Sequence, residues 1–452
     1  MSGQVKTAEE LKQEYGPQPG SVLDEHATEV QLAQLLLNEY LPPVRCVGKD
    51  WRVYEKGVWR RSSIDEFKPD ALSVQHHRSR TARKARDVLK HIEYSTQAKE
   101  EDFRSFHFQD DNGEIVINCA NYVLAISERE IRELAHSEKY YFSRQLAASY
   151  VPTSEAPNFE DALQFSLPDP EDIELFRSYS GYILMPDCRH EAALVCYGPT
   201  QTGKSTLAAG IESVFGENLV TEFSLSQLSN PENKNLAKLQ RAALNLSTEL
   251  DAIEVGSENF KRLVSGESFD ADRKYRDSIS LRSSCKLWFN ANQLPRFRKG
   301  TDAELRRLRF LRFDQKVQAK DETLKAKIKS ERDGILLFAI EGLRSLLKAK
   351  VIPNGGTGSV QTRTRFQVEN DPISSFVDAC CHLDADEQVT KDELFRCYKN
   401  FCARNGIPIP ESDVWFFRKL YDQFHLSDVR RRDGESRVRM ITGITTVPAE
   451  EA

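Results

Sequence analysis

No apolar run in the 452 residues approaches the ~18–20 that a membrane-spanning helix needs, so no membrane partner is expected. The opening MSGQVKTAEELKQEYGPQPG lacks the apolar core of a signal peptide, and a cytoplasmic protein is expected. Cysteine gives no disulfide framework: the nine are odd in number, irregularly spaced and without a CxxC pair. Cys380, Cys381, His382, Cys397 and Cys402 crowd together, but their neighbours read as apolar helix faces, so core thiols are expected there rather than zinc ligands. There is no internal repeat. Neither is there a large excess of one charge: 63 Lys and Arg stand against 69 Asp and Glu, a net −6 with pI near 6.0. Taken as an average, that balance argues against nucleic acid as a partner. Its distribution argues otherwise, as shown below.

The length allows two to four domains, and 39% apolar with 29% charged residues suits a folded protein. Residues 1–30 are polar and read as a flexible tail. Residues 31–175 read as a mainly helical N-terminal domain. It opens on the amphipathic VQLAQLLLNEYL (30–41) and carries a hairpin, Trp51–Tyr54 and Val58–Arg60, around Lys56-Gly57. A basic helix follows near Arg78–Lys90, either a solvated face or a nucleic-acid contact, and then one apolar strand, 114–126. Residues 151–175 hold seven carboxylates, four prolines and no Lys or Arg, the approach to a new domain. From 176 to 350 helices alternate with short apolar strands (Ala192–Tyr197, Ala242–Leu246, Lys286–Phe289 and Leu308–Phe313), the α/β pattern. Residues 351–370, with PNGGTGS, read as a linker. Residues 371–446 read as three helices and a basic two-stranded wing, a winged-helix order.

The strongest local signal is Gly198-Pro199-Thr200-Gln201-Thr202-Gly203-Lys204-Ser205, followed by Thr206, which satisfies G-x4-G-K-[ST]. An apolar strand leads in and a helix leads out, as a phosphate-binding loop requires. Backbone N–H groups curl around phosphate, and the helix N-terminus adds its positive end. Lys204 is expected to bridge the β- and γ-phosphates of ATP, and Ser205 to ligate Mg²⁺.

Three later segments complete the candidate site. After Ala242–Leu246, Glu249 is the candidate for activating water and for the metal, with Asp251 the alternative. Asn290 and Asn292 sit at the tip of the strand Lys286–Phe289, where an amide can hold the attacking water in line. Arg306 and Arg307, in Glu304-Leu-Arg-Arg, are expected to reach a neighbouring subunit's ATP, or else to be surface arginines.

Taken together, GPTQTGKST, LNLSTEL, FKRLVSGESFDADRKYRD, KLWFNANQLPRF and TDAELRRLRFLRF resemble the superfamily 3 helicases of the phage and plasmid primase–helicase type, shared with poxvirus primase–helicases. The resemblance covers 176–347 best. VYEKGVW and INCANYVL resemble that family's helicase-associated N-terminal domain, and ENDPISSFVDACC with ELFRCYKNFCARNGI its winged-helix tail. It implies a P-loop AAA+-like ATPase core, Glu249 as Walker B acid, Asn292 rather than Asn290 as sensor, and Arg306 and Arg307 as the arginine-finger region. Thr248 departs from the pattern, standing where many Walker B motifs carry a second acid. GESFDADRKYRD corresponds to the channel hairpin, which makes Arg273, Lys274, Tyr275 and Arg276 the candidate DNA contacts. No paired-acid strand motif precedes the ATPase segment, so priming is not expected.

The expectation is therefore a homohexameric, ATP-dependent DNA helicase acting on single-stranded and forked DNA during replication of a phage, plasmid or mobile element. In a bacterial host it would be cytoplasmic. The alternative is an origin-binding initiator whose C-terminal module takes duplex DNA through Arg430, Arg431, Arg432, Arg437 and Arg439. A P-loop kinase is hard to reconcile with the paired arginines. Between Arg273 and Arg312, twelve Lys and Arg face three Asp and Glu, so positive charge is concentrated where DNA and ATP are expected.

Overall fold

The computed structural model describes residues 25–230, 233, 235–247, 254–255, 258–273, 276–294, 296–297, 306–319, 321–410, 412–433 and 436–447. Among them no helix is long and apolar enough to cross a membrane.

The N-terminal part mixes helices with two antiparallel sheets, where mainly helix was expected. Thr28 caps helix α1 (Glu29–Leu35) with a reciprocal capping box to Gln31, and the helix continues as a π turn to Tyr40. Strands β1 (Val44–Val47), β2 (Asp50–Glu55) and β3 (Val58–Ser62) form one sheet, with the expected turn at Lys56-Gly57, both at positive φ. Helices α2 (Lys68–Ser73) and α3 (Ala82–Ser95) complete this small core with Val88, Leu89 and Ile92. The stretch 114–126 is a hairpin rather than one strand. Strands β4 (His107–Gln109), β5 (Ile115–Asn118), β6 (Val123–Ile126) and β7 (Ile131–Leu134) make a second sheet.

That second sheet does not share the first core. Phe106, Ile115, Ile117 and Leu124 pack into one continuous core with Leu207, Ile211 and Phe215 of the P-loop helix. This core runs across the boundary expected at 176. The acidic segment forms helices α4 (Pro157–Ser166) and α5 (Pro170–Ile183), and both belong to the P-loop domain. Their acids lie mainly on outer faces while Phe159, Leu163, Leu175 and Phe176 are buried. Composition registered the acids; the apolar spacing carried the structure.

The P-loop domain is built on five parallel strands: β8 (Ala193–Tyr197), β9 (Val220–Thr221), β10 (Leu244–Ser247), β14 (Lys286–Ala291) and β16 (Leu308–Arg312). Their order is β16-β8-β14-β10-β9. Four of these match the expected strands closely. Their near-continuous apolar runs are buried on both faces, as parallel strands require. Helix α6 (Lys204–Phe215), with α4 and α5, covers one face; α7 (Leu225–Ser229) and α8 (Glu258–Ser265) cover the other. Just before α8 in the chain, β11 (Glu254–Val255) pairs with the later β15 (Arg296–Phe297), and after α8, β12 (Phe269–Arg273) pairs with β13 (Arg276–Leu281). Helices α9 (Leu324–Ser330) and α10 (Arg332–Ala349) close the domain. α10 lies tight against α5: a Cβ on Gly342 would stand 1.9 Å from the Arg177 carbonyl oxygen.

The expected linker is a docked helix, α11 (Thr357–Asn370). The Gly356 amide donates to Asp172 Oδ1 at 2.8 Å, and the Arg312 amide donates to Ser359 Oγ at 3.0 Å. Phe366 is buried against Phe310 of β16, ring centroids 5.0 Å apart. Ser359, Thr362 and Phe366, the buried stripe, recur at helical spacing.

The C-terminal part carries helices α12 (Pro372–Cys380), α13 (Lys391–Asn405) and α14 (Asp413–Gln423), with short strands β17 (Cys381–His382) and β18 (Gln388–Thr390). A hairpin, β19 (Ser427–Asp433) and β20 (Ser436–Thr442), and β21 (Thr445–Thr446) follow. Its register sets Arg430 opposite Arg439 and Arg432 opposite Arg437. Cys402 is buried in this part's apolar core, and Cys380, Cys381 and Cys397 are half-buried against it.

Candidate nucleotide-binding site and nucleic-acid interface

The end of β8 turns through the glycine-rich loop into α6 at the C-terminal edge of the parallel sheet, where open α/β folds bind ligands. Gly198 has φ +155°, and a Cβ there would stand 1.9 Å from the Phe313 carbonyl oxygen. Gly203 has φ +89°, and its Cβ would meet Ser166 Oγ at 2.0 Å. The loop is thus held between the end of α4 and the segment leaving β16, and only glycine fits at its two ends. A further tie joins it to that segment, since the Val317 amide donates to the Gln201 carbonyl at 2.9 Å.

Lys204 is buried and points back into the loop. Its Nζ donates to the Gly198 carbonyl at 2.7 Å, the Pro199 carbonyl at 2.5 Å and Thr202 Oγ1 at 3.3 Å. Burial lowers the pKa of its ammonium below the usual lysine value. Ser205 and Thr206, in the first turn of α6, line the same cavity of about 930 Å³, which also reaches Asn290, Asn292 and Lys316. Glycines at both ends, a lysine cradled by loop carbonyls and a helix N-terminus form a fitting receptacle for a nucleotide's phosphates.

The two asparagines differ. Asn292 is exposed at the cavity wall. Asn290 is buried at the end of β14, accepts from Trp288 Nε1 at 3.1 Å, and leaves its buried Nδ2 without a hydrogen-bond partner. The resemblance ranks it behind Asn292, but it alternates with Trp288, and Trp288 packs into the core shared with the P-loop helix.

The arginine pair also divides, contrary to the expectation that both reach outward. Arg307 is buried, paired with Glu191 at 2.8 Å and donating to Ser265 Oγ at 3.0 Å. Arg306 is exposed, and its carbonyl accepts from Arg309. Both precede β16 and so lie at the sheet edge opposite this chain's own P-loop. Glu249, with Thr248 and Asp251, lies outside the described residues, as do Lys274 and Tyr275. Arg273 and Arg276 are register partners at the end of the β12–β13 hairpin.

Three family models match segments of the chain: D5 N terminal like over 33–168, a family of unknown function (DUF5906) over 196–307, and poxvirus D5 protein-like over 368–425. The comparison with curated proteins found no match. Among solved structures the fold is similar to the apo C-terminal region of NrS-1. Two such structures have TM-scores of 0.54 at 12% identity, covering 92% of this chain and 100% of that one. A third reaches 0.52 with the same identity and coverage. At that identity the likeness is one of fold. The D5-type matches on either side of the P-loop segment support a relationship to D5-like primase–helicases.

Proposed function

We propose that this chain is an ATP-dependent DNA helicase of superfamily 3 type, working as a homohexameric ring on single-stranded and forked DNA in replication of a phage, plasmid or mobile element. The observation that carries this reading is the P-loop cradle at the C-terminal sheet edge, with Lys204 and two strand-end asparagines around one cavity. On this reading the core is an AAA+-like ATPase. Lys204 leaves its loop carbonyls for the β- and γ-phosphates of ATP, and the amides of the loop and the first turn of α6 hold the rest. Ser205 would hold Mg²⁺ with Glu249, and the metal would neutralise charge developing on the phosphates. Asn290 and Asn292 donate toward the γ-phosphate side.

Arg306 would serve a neighbouring subunit's nucleotide; its exposure at the sheet edge away from its own P-loop supports this. Arg307 braces that corner through Glu191. The β12–β13 hairpin supplies the DNA contacts through Arg273, Lys274, Tyr275 and Arg276, a mixture of charge and an aromatic face that grips single strands without reading sequence. The C-terminal helices and hairpin serve as a winged-helix module, and the location is the cytoplasm of the host.

The second reading, an origin-binding initiator, is favoured by the arginine pairs across β19 and β20. Band shifts with origin and scrambled duplex at stated salt distinguish the two, because plain phosphate attraction is sequence-blind. ATP turnover measured with and without single-stranded DNA tests the main reading. Stimulation by DNA supports it, and turnover indifferent to DNA counts against it.

A further inference from the structure

A second cavity, of about 940 Å³, opens between the small N-terminal core and the P-loop domain. It is lined by Arg52, Arg60, Arg61, Arg144, Lys238 and Arg241. Only two acids, Glu100 and Glu217, line it with them. Three separate segments bring the cations together: the β2–β3 hairpin, the loop after Phe142, and the turn before β10. The P-loop follows the C-terminal end of β8, whereas Lys238–Ala242 leads into the N-terminal end of β10. This cavity is therefore at the opposite sheet edge from the nucleotide site.

The charge is not balanced within the protein. Glu100 alone pairs with Arg52 and Arg241, and Arg61 stands 3.9 Å from the same carboxylate. Arg60 is spent on Glu55 and Glu66. Arg144 has its Nε buried without a hydrogen-bond partner. Arg52 is fully buried, with Nε and Nη1 unpartnered except by the face of Phe103, 4.0 Å from its Cζ. Burial lowers the pKa of Arg241, against the opposing pull of Glu100, and burial followed by the charge on Arg61 lowers that of Arg144. Three guanidinium groups, one of them fully buried, share a single half-exposed carboxylate, which leaves positive charge for an anion to balance.

We infer that this interdomain cavity binds the phosphodiester backbone of single-stranded DNA, as a second contact apart from the β12–β13 hairpin. The guanidinium fork suits phosphate oxygens in pairs. A nucleobase finds no stacking platform here. Trp59, the cavity's one aromatic residue, is buried with its Nε1 committed to the Glu138 carbonyl at 3.0 Å. Cations spread over two structural units suit a chain of phosphates better than one terminal phosphate. The site also spans the joint between those units, so a strand bound there ties them together. The inference rests on the DNA-binding reading above.

Anisotropy of labelled oligothymidylate with the full chain, without ATP and over a salt series, tests it. The variant Arg61→Glu/Lys238→Glu changes two exposed side chains, and Arg61→Gln/Lys238→Gln is the milder control. Circular dichroism melts check that both fold. Affinity is expected to fall about tenfold or more in the reversed variant, with the slope of log K against log salt reduced by about 0.7 for each lost contact. The same loss is expected on top of Arg276→Ala, which marks the site as separate from the hairpin. Unchanged affinity and slope in folded variants, with the wild type binding, would overturn this inference alone. A wild type that does not bind oligothymidylate would overturn the DNA reading along with it. Inorganic tripolyphosphate binding as tightly as the oligonucleotide, and lost in the same variants, would overturn the assignment to a nucleic-acid strand.

Discussion

Trp288 Nε1 donates to Asn290 Oδ1 at 3.1 Å, two residues further along β14. Indole nitrogen only donates, so the amide oxygen must face it and the Asn290 Nδ2 must face away from the indole. That donor is buried without a partner, in a residue that lines the nucleotide cavity. Asn290→Asp keeps an acceptor for Trp288 while removing the donor. It is expected to lower the ATP turnover number by about 10²-fold, the scale for losing one preorganised donor. Turnover within about twofold of wild type, measured by phosphate release, would return the role to Asn292 alone.

Arg306 and Arg307 should separate experimentally. Arg306→Ala is expected to leave the melting temperature unchanged and to reduce turnover by about 10³-fold or more, the scale for an arginine finger. Mixing it with Lys204→Ala subunits should restore part of the activity, because some interfaces then contain both intact groups. Arg307→Ala is expected to cost about 1–3 kcal/mol of stability, since it leaves Glu191 and Ser265 without their shared donor. Denaturant melts beside turnover assays resolve the two effects.

The contact between α5 and α10 makes a packing prediction. Gly342→Ala would set a methyl group 1.9 Å from the Arg177 carbonyl oxygen, and Gly181→Ala would set one 2.0 Å from the Leu343 amide nitrogen. Backbone cannot yield there as a flexible side chain would, so either substitution should destabilise by about 1–3 kcal/mol or more. A thermal melt unchanged by Gly342→Ala would show that the helices sit further apart.

His107 makes stability depend on pH. It is buried, with its Nε2 donating to the Met185 carbonyl at 3.1 Å and its Nδ1 unpartnered. Burial first, and then the Lys286 ammonium, push its pKa down to about 3 from 6.5. The unfolded chain therefore takes up a proton that the folded chain refuses between those values. This contribution is fully present above pH 6.5 and is lost as pH falls toward 3. The local slope reaches up to about 1.4 kcal/mol per pH unit for the one proton. Urea melts from pH 7 down to about pH 4 should show that slope, and His107→Gln should flatten it.

The sequence made the P-loop and four strands of the central sheet legible because their signals are local: fixed glycines, one lysine and continuous apolar runs. Two-residue β9 is too short for any periodicity to register. Helix α11 was hidden by composition. PNGGTGS reads as linker, while Ser359, Thr362 and Phe366 carry a helical stripe whose value depends on β16 lying beneath it. The ion pair that holds Arg307 joins residues far apart in the chain, and the basic cavity gathers arginines from three segments. Such relationships arise only when the fold closes, so spacing cannot announce them.

Strand displacement on forked DNA by the full chain, wild type beside Lys204→Ala, tests the account most directly. The account predicts ATP-dependent unwinding by the wild type and none by Lys204→Ala, with DNA binding retained in both. Unwinding by Lys204→Ala at the wild-type rate would contradict it.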